Sequence, residues 1–199
     1  MKNMKSYGYP FLLLAFLFIS ACSPQATRPT LLPLQTNAVI PDVWNITAKL
    51  GIRNGDDSGS VTLYWQQQQN QYQIRIAGPL GQGNGLLSGD EENIVIERPN
   101  KQTLYSNNPA QLIKDTFGWD LPIQDLNYWV RGLASPLLDA AEQDYSASGV
   151  LSELNQSDWS LRYTRYRTTD LWLMPQRIRA EKGELMLTLV IKTWEFPNK

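Results

Sequence analysis

The run Val43-Trp44-Asn45-Ile46-Thr47-Ala48-Lys49-Leu50-Gly51-Ile52-Arg53 decides how the rest of the chain is read. Trp44, Ile46, Ala48, Leu50 and Ile52 fall on one side of an extended chain, and Asn45, Thr47, Lys49 and Arg53 on the other. A repeat of two with β-branched and aromatic residues is the pattern of a half-buried antiparallel strand with one wet face. The same alternation recurs downstream. Val61, Leu63 and Trp65 alternate with Thr62, Tyr64 and Gln66, and Tyr72, Ile74 and Ile76 with Gln71, Gln73 and Arg75. Asn54-Gly55 and Gln69-Asn70 supply hairpin turns between them. Shorter strands are expected around Leu86-Leu87, over Ile94 to Glu97 and over Thr103 to Tyr105.

The middle of the chain changes period. Asn108 is placed to cap a helix that starts at Pro109, because its side chain can accept from a free N–H of the first turn. Leu112, Ile113, Thr116 and Phe117 have helical spacing, and Gly118 suits the left-handed stop. Leu126, Tyr128, Trp129 and Val130 predict a second short helix from near Pro122, closed by Gly132. Strands return from about Tyr145: Trp159, Leu161 and Tyr163 share one face, and Leu185, Leu187, Leu189 and Ile191 another. The expected architecture is a mainly β fold in which a strongly curved antiparallel sheet wraps a short helical insert.

The first residues read as a processing segment. Lys2 and Lys5 precede a short apolar run from Phe11 to Ile19, about half of the ~20 residues a spanning helix needs. Ile19-Ser20-Ala21-Cys22 has the form of a lipobox, which predicts cleavage before Cys22 and lipid on its thiol. Cys22 is the single cysteine of the chain, so no disulfide competes for it. Ser23 follows, where many Gram-negative bacteria place an Asp to retain lipoproteins at the inner membrane. The expected address is therefore the outer membrane, lipid-anchored and facing the periplasm. The organisation that follows is a signal peptide over 1–21, a lipidated tether over 22–41 rich in Pro, Thr, Gln and Asn, and a folded domain over 42–199.

Composition excludes several chemistries. With Lys2 and Lys5 removed from 18 basic residues, against 19 acidic ones, the mature chain carries about −3, which is no footprint for nucleic acid. The sequence holds no histidine, so His-dependent triads and the common zinc sites are out of reach. Asp56-Asp57 and Glu91-Glu92 are neighbours in turn-like segments and read as solvated turns rather than acid–base pairs. No catalytic residue, metal or cofactor is expected. Gly78-Pro79-Leu80-Gly81, followed by Gln82-Gly83-Asn84-Gly85, fits neither phosphate-loop spacing. It reads either as a glycine-built hairpin loop or as a mount that displays Leu80, a small wedge for contact with a membrane.

Taken together these motifs resemble the LolB family of outer-membrane lipoproteins. The resemblance runs from about Trp44 to Trp194. It is carried by the lipobox, Trp65-Gln66 before Tyr72-x-Ile74, Gly78-Pro79-Leu80-Gly81, Gly118-Trp119-x-Leu121-Pro122 and Leu126-x-Tyr128-Trp129-Val130-x-Gly132. Trp159-x-Leu161-x-Tyr163, Leu173-Met174-Pro175-x-Arg177 and Leu187-x-Leu189-x-Ile191-x-x-Trp194 complete it.

The resemblance implies an incomplete antiparallel β-barrel of about eleven strands, with a lid of short helices over an apolar cavity for acyl chains. It implies a receptor that takes lipid-modified proteins from a LolA-like periplasmic carrier and inserts them into the outer membrane, with the Leu80 loop aiding delivery. Its partners would be that carrier, client lipoproteins and outer-membrane lipid, with the receptor itself a monomer. Candidate cavity residues are Trp44, Ile46, Leu63, Trp65, Ile74, Ile76, Trp129, Leu187 and Leu189, each of which would also suit an ordinary core. The competing reading is a structural or assembly lipoprotein that binds other outer-membrane proteins through its sheet edges. A packed interior, with no cavity large enough for an acyl chain, would favour that reading.

Overall fold

The computed structural model describes residues 40–79, 83–118, 121–139, 141–169 and 172–197. Cys22, the signal segment, residues 22–39 of the tether, and Leu80 and Gly81 of the glycine loop lie outside them. Eleven antiparallel strands form one sheet, in the spatial order β6-β5-β4-β3-β2-β1-β11-β10-β9-β8-β7. The first six are β1 (Val43–Asn54), β2 (Asp57–Gln68), β3 (Gln71–Ala77), β4 (Gly85–Gly89), β5 (Ile94–Glu97) and β6 (Leu104–Ser106). Then come helices α1 (Pro109–Phe117) and α2 (Ile123–Trp129). The remaining strands are β7 (Glu142–Tyr145), β8 (Leu151–Gln156), β9 (Trp159–Thr169), β10 (Trp172–Lys182) and β11 (Leu185–Glu195). The chain thus lays down one half of the sheet outward from β1, crosses over through the helices, and returns inward to pair β11 with β1. Edge strands β6 and β7 are not neighbours in the sheet.

The alternating residues do what their period dictates. In β1, Trp44, Ile46, Ala48 and Leu50 are buried while Lys49 is exposed. Four hairpins close through two-residue loops, Gly55-Asp56, Gln69-Asn70, Ser157-Asp158 and Gly183-Glu184, between the paired residues that flank them. Each loop opens with a left-handed backbone, φ +59° at Gly55 and +58° at Gly183, the twist that matches the flanking strands. Gln69 adopts φ +57° without being glycine. Its N–H donates to the Asp42 carbonyl (3.0 Å) and its carbonyl accepts from Gln67 Nε2 (2.7 Å), contacts that offset the strain.

Register shifts at Thr47/Ala48 against β11 and around Pro175 against β9 mark bulges. Proline is tolerated in a sheet at such sites, and a bulge bends its strand. Pro175 lies where β10 has not yet begun to pair with β11; there the Trp194 indole donates to the Pro175 carbonyl (2.9 Å).

α1 is built as its sequence implies. Asn108 Oδ1 accepts from the Gln111 N–H (3.1 Å), Pro109 occupies the first turn, and Gly118 at φ +83° returns its N–H to the Lys114 carbonyl (2.8 Å). α2 stops at Trp129, three residues before Gly132, and the turn to Gly132 is closed by N–H bonds from Arg131 and Gly132 to Tyr128 and Trp129. The strand expected over Thr103 to Tyr105 lies one residue later, because Leu104 and Ser106 are the residues opposite Ile96 and Ile94.

Candidate functional site

The concave face of the sheet is not filled. A cavity of about 230 Å³ lies between it and the helices, and its wall is almost wholly apolar. The sheet contributes Leu50 and Ile52 of β1, Val61, Leu63 and Trp65 of β2, Ile74 and Ile76 of β3, and Leu87 of β4. Leu161, Ile178, Ala180, Leu187 and Leu189 enter from the other half. The lid contributes Phe117 from α1, Leu121 from the connection, and Ile123, Leu126 and Trp129 from α2, with Val130 just beyond it. Positions 123, 126 and 129/130 recur at helical spacing, so α2 turns one face to the chamber.

Seven of the nine residues singled out from the sequence stand in this wall: Leu63, Trp65, Ile74, Ile76, Trp129, Leu187 and Leu189. Trp44 and Ile46 do not. Both are on the concave face and buried, but at the opposite end of β1 from Leu50 and Ile52. There Trp44 packs on Trp65 (centroids 5.1 Å apart) and on Trp194 (5.4 Å), and Trp194 stacks with Phe196 (5.9 Å). Aromatic pairs at such separations bury large apolar areas. Trp44 and Ile46 are buried at that end of the sheet, outside the chamber wall.

Leu50, Ile52 and Val61 were present in the same alternating pattern. The period identifies a face, and only the three-dimensional packing says which stretch of that face is hollow. Ile123 and Leu126 carried the helical spacing that places them on the lid's inner side.

The lid is fastened to one wall by buried polar groups. Gln156 Oε1 accepts from the Trp129 indole (3.0 Å) and the Ser135 N–H (2.9 Å), while its Nε2 donates to the carbonyls of Ser135 (2.7 Å) and Asp139 (3.1 Å). The Tyr163 hydroxyl donates to the Trp129 carbonyl (2.9 Å), and burial together with Tyr166 pushes its pKa far up, so it stays a donor. Ser135 Oγ donates to Asp125 Oδ1 (2.6 Å). Burial raises the Asp125 pKa above the ordinary 3.8, and the Ser135 bond opposes that rise. Nothing in the sequence marked this network; a single glutamine near a turn reads as a surface residue.

The glycine loop starts at the chamber. Gly83, with φ +69°, is part of its wall, and the Gly78 N–H donates to Asn84 Oδ1 (3.2 Å) across the loop's base. Pro79 is described and Leu80 and Gly81 are not. Among the described residues no cluster of His, Cys, Asp and Glu could hold a metal ion, and no helix is long and apolar enough to cross a membrane.

Residues 42–194 match the protein family described as outer membrane lipoprotein LolB. The outer-membrane lipoprotein LolB of Cellvibrio japonicus is 41% identical over 157 residues, 76% of this chain and 77% of that one. The LolB of Pseudomonas aeruginosa is 39% identical over 155 residues, covering 77% of this chain and 75% of its own. Among solved structures, a LolA superfamily protein from Nitrosomonas europaea superposes with a TM-score of 0.50 at 8% identity, covering 79% of this chain and 87% of that one. That likeness speaks to the fold alone. The hollow antiparallel half-barrel, its helical lid and the family match lead to one assignment: the chain belongs to the LolB family of outer-membrane lipoproteins.

Proposed function

We propose that the chain is the outer-membrane receptor for lipid-modified proteins, accepting them from a LolA-type periplasmic carrier and passing them to the outer membrane. The observation that carries this reading is the apolar chamber under the lid. An unoccupied apolar cavity forfeits contacts on every side, and a fold retains one where it has a ligand to fill it. Burial of an acyl chain gains about 25 cal/mol per Å² of apolar surface removed from water, so several kcal/mol are available without any nucleotide. Transfer then runs downhill in affinity, from carrier to receptor to bilayer.

The volume also bears on the mechanism. A dry apolar cavity of ~150 Å³ accommodates a benzene ring, so about 230 Å³ holds a segment of one acyl chain. Loading a whole lipid anchor requires the lid to shift. The Gln156 network fastens α2 and the turn after it, which leaves α1 and the Leu121 connection as the parts that yield. Leu80, a leucine between Pro79 and Gly81, would then touch the bilayer while the client leaves. Cys22, lipidated, would keep the domain at its target membrane.

A packed interior would have favoured the structural or assembly alternative, and the apolar chamber favours the receptor. The test is transfer from a loaded carrier to the purified mature chain. Ala180→Phe adds a ring to the chamber wall and is expected to lower acceptance at least tenfold without lowering the melting temperature. A parent chain that takes no client, or an Ala180→Phe chain that accepts normally, refutes the reading.

A further inference from the structure

Five of the ten arginines of this acidic chain fall between residues 162 and 179, a stretch with one acid, Asp170, which lies outside the described residues. The register puts them together. Lys49 of β1 is opposite Val190 of β11, Val190 is opposite Arg177 of β10, and Arg177 is opposite Arg165 of β9. Cross-strand partners share a face, and Lys49, Arg177 and Arg165 are all exposed on the outer, convex one. At about 4.8 Å per strand the row runs roughly 14 Å from Lys49 to Arg165.

The adjacent row pairs Arg179 with Arg162, and each of these has its own acid, Glu181 and Glu153 respectively. The first row has none among the described residues. Arg167 and Lys192 extend the same surface, again without an ion pair. Arg167 is held by neutral groups: Nη1 donates to the Lys192 carbonyl (3.5 Å), and the Gln176 amide, turned oxygen-first, accepts from Nη2 (2.9 Å) and Nε (3.2 Å).

Like charges directly opposite one another on neighbouring strands destabilise a sheet. A chain with a surplus of acids could neutralise Arg165 and Arg177 as it does Arg162 and Arg179, and among the described residues no acid does so. Guanidinium groups in a fixed row suit phosphate oxygens, which they bind through two parallel N–H bonds. An outer-membrane lipoprotein has a phospholipid surface within reach of its tether, and tethering raises the local concentration of that surface.

We propose that the convex face of β9–β10–β11, centred on Arg165 and Arg177, is a docking surface for the phosphates of anionic phospholipid headgroups. It holds the domain against the bilayer by its outer wall while the chamber on the inner side stays free. The inference rests on the family's outer-membrane placement and not on what fills the chamber.

The test uses the mature chain with Cys22→Ser, so that no acyl anchor contributes, and vesicles of phosphatidylglycerol with phosphatidylethanolamine against vesicles of phosphatidylcholine. Binding to the anionic vesicles is expected, weakening as salt is raised. A basic residue at a membrane surface is worth roughly fivefold in affinity, so Arg165→Gln with Arg177→Gln should weaken it about thirtyfold. A charge-matched pair off this face, Lys101→Gln with Lys114→Gln, should cost little. If the first pair fails to fold by tryptophan fluorescence, Arg167→Gln with Lys192→Gln tests the same face.

No preference of the parent for anionic vesicles overturns the proposal, as does equal loss in both charge-matched pairs. Unchanged vesicle binding with impaired acceptance of client from the carrier also overturns it, since the face would then serve the carrier. Because the readout is vesicle binding, it stands whether or not acyl chains enter the chamber.

Discussion

The indole N–H of Trp129, in the last turn of the lid helix α2, donates to the side-chain oxygen of Gln156 at the end of β8, 3.0 Å away. Gln156 is 2% exposed, and all of its hydrogen-bonding capacity is spent on the segment from Trp129 to Asp139. Gln156→Leu preserves the approximate volume and strands four polar groups. Each buried group left unpaired costs about 1–3 kcal/mol, and the Asp139 carbonyl is only part-buried, so a loss of at least about 3 kcal/mol is expected in urea unfolding. A loss below about 1 kcal/mol would show that the lid does not depend on this fastening.

Asp125 makes stability depend on pH in a particular direction. Its folded pKa is raised by burial, so above the ordinary carboxylate value the native state binds more protons than the unfolded one. The contribution to stability is greatest at low pH and falls as pH rises through the raised pKa. Asp125→Asn keeps an oxygen for the Ser135 hydroxyl and removes the titration. The variant is expected to match or exceed the parent at neutral pH and to lose that part of the slope that begins above the ordinary carboxylate value. Unfolding free energies across that range check it; a variant much less stable at neutral pH contradicts it.

Gly89, the last residue of β4, has no room for a side chain. A Cβ there would lie 2.1 Å from the Asn93 carbonyl oxygen and 2.9 Å from the Tyr72 hydroxyl. Asn93 cannot simply withdraw, because its carbonyl accepts from the Asp90 N–H (3.0 Å) and its own N–H donates to Asp90 Oδ1 (2.8 Å). Overpacking of a tight site costs about 1–3 kcal/mol. Gly89→Ala is expected at the upper end of that range, read as a drop in melting temperature, whereas Gly83→Ala meets no neighbour within 4 Å and has only its positive φ to contend with.

Leu80→Glu separates receipt from delivery. The substitution leaves every described residue of the chamber wall in place, so acceptance of client from the carrier is expected to remain near that of the parent. Delivery to vesicles should fall at least tenfold, because a carboxylate does not enter the bilayer. Equal delivery by the two chains would remove the loop from the mechanism.

The fold was largely legible because its determinants are periodic or local. Alternation from Trp44 to Ile52 and from Leu185 to Ile191 gave the strands that now pair as β1 and β11, and Asn108, Pro109 and Gly118 gave both ends of α1. β10 was harder to delimit, since Pro175 interrupts its pattern and is accommodated only by a bulge against β9.

The chamber was legible in part. Leu63, Trp65, Ile74, Ile76, Trp129, Leu187 and Leu189 follow from asking which apolar residues share the inner face. Trp44 and Ile46 share it too, and only the three-dimensional arrangement places them at the end of β1 away from the chamber wall. The Gln156 fastening joins residues far apart in sequence, a relation that no local pattern encodes.

The order of the strands has a mechanical consequence. β6 and β7 terminate the sheet without bonding to one another, so the wall has a seam that no backbone hydrogen bond crosses. A closed barrel has a circumference fixed by its ladder; this one can widen at the seam while every inter-strand bond stays intact. Its capacity is therefore set less by the backbone ladder than by side-chain packing under the helices. A receptor built this way can admit cargo bulkier than its resting interior and recover its shape when emptied.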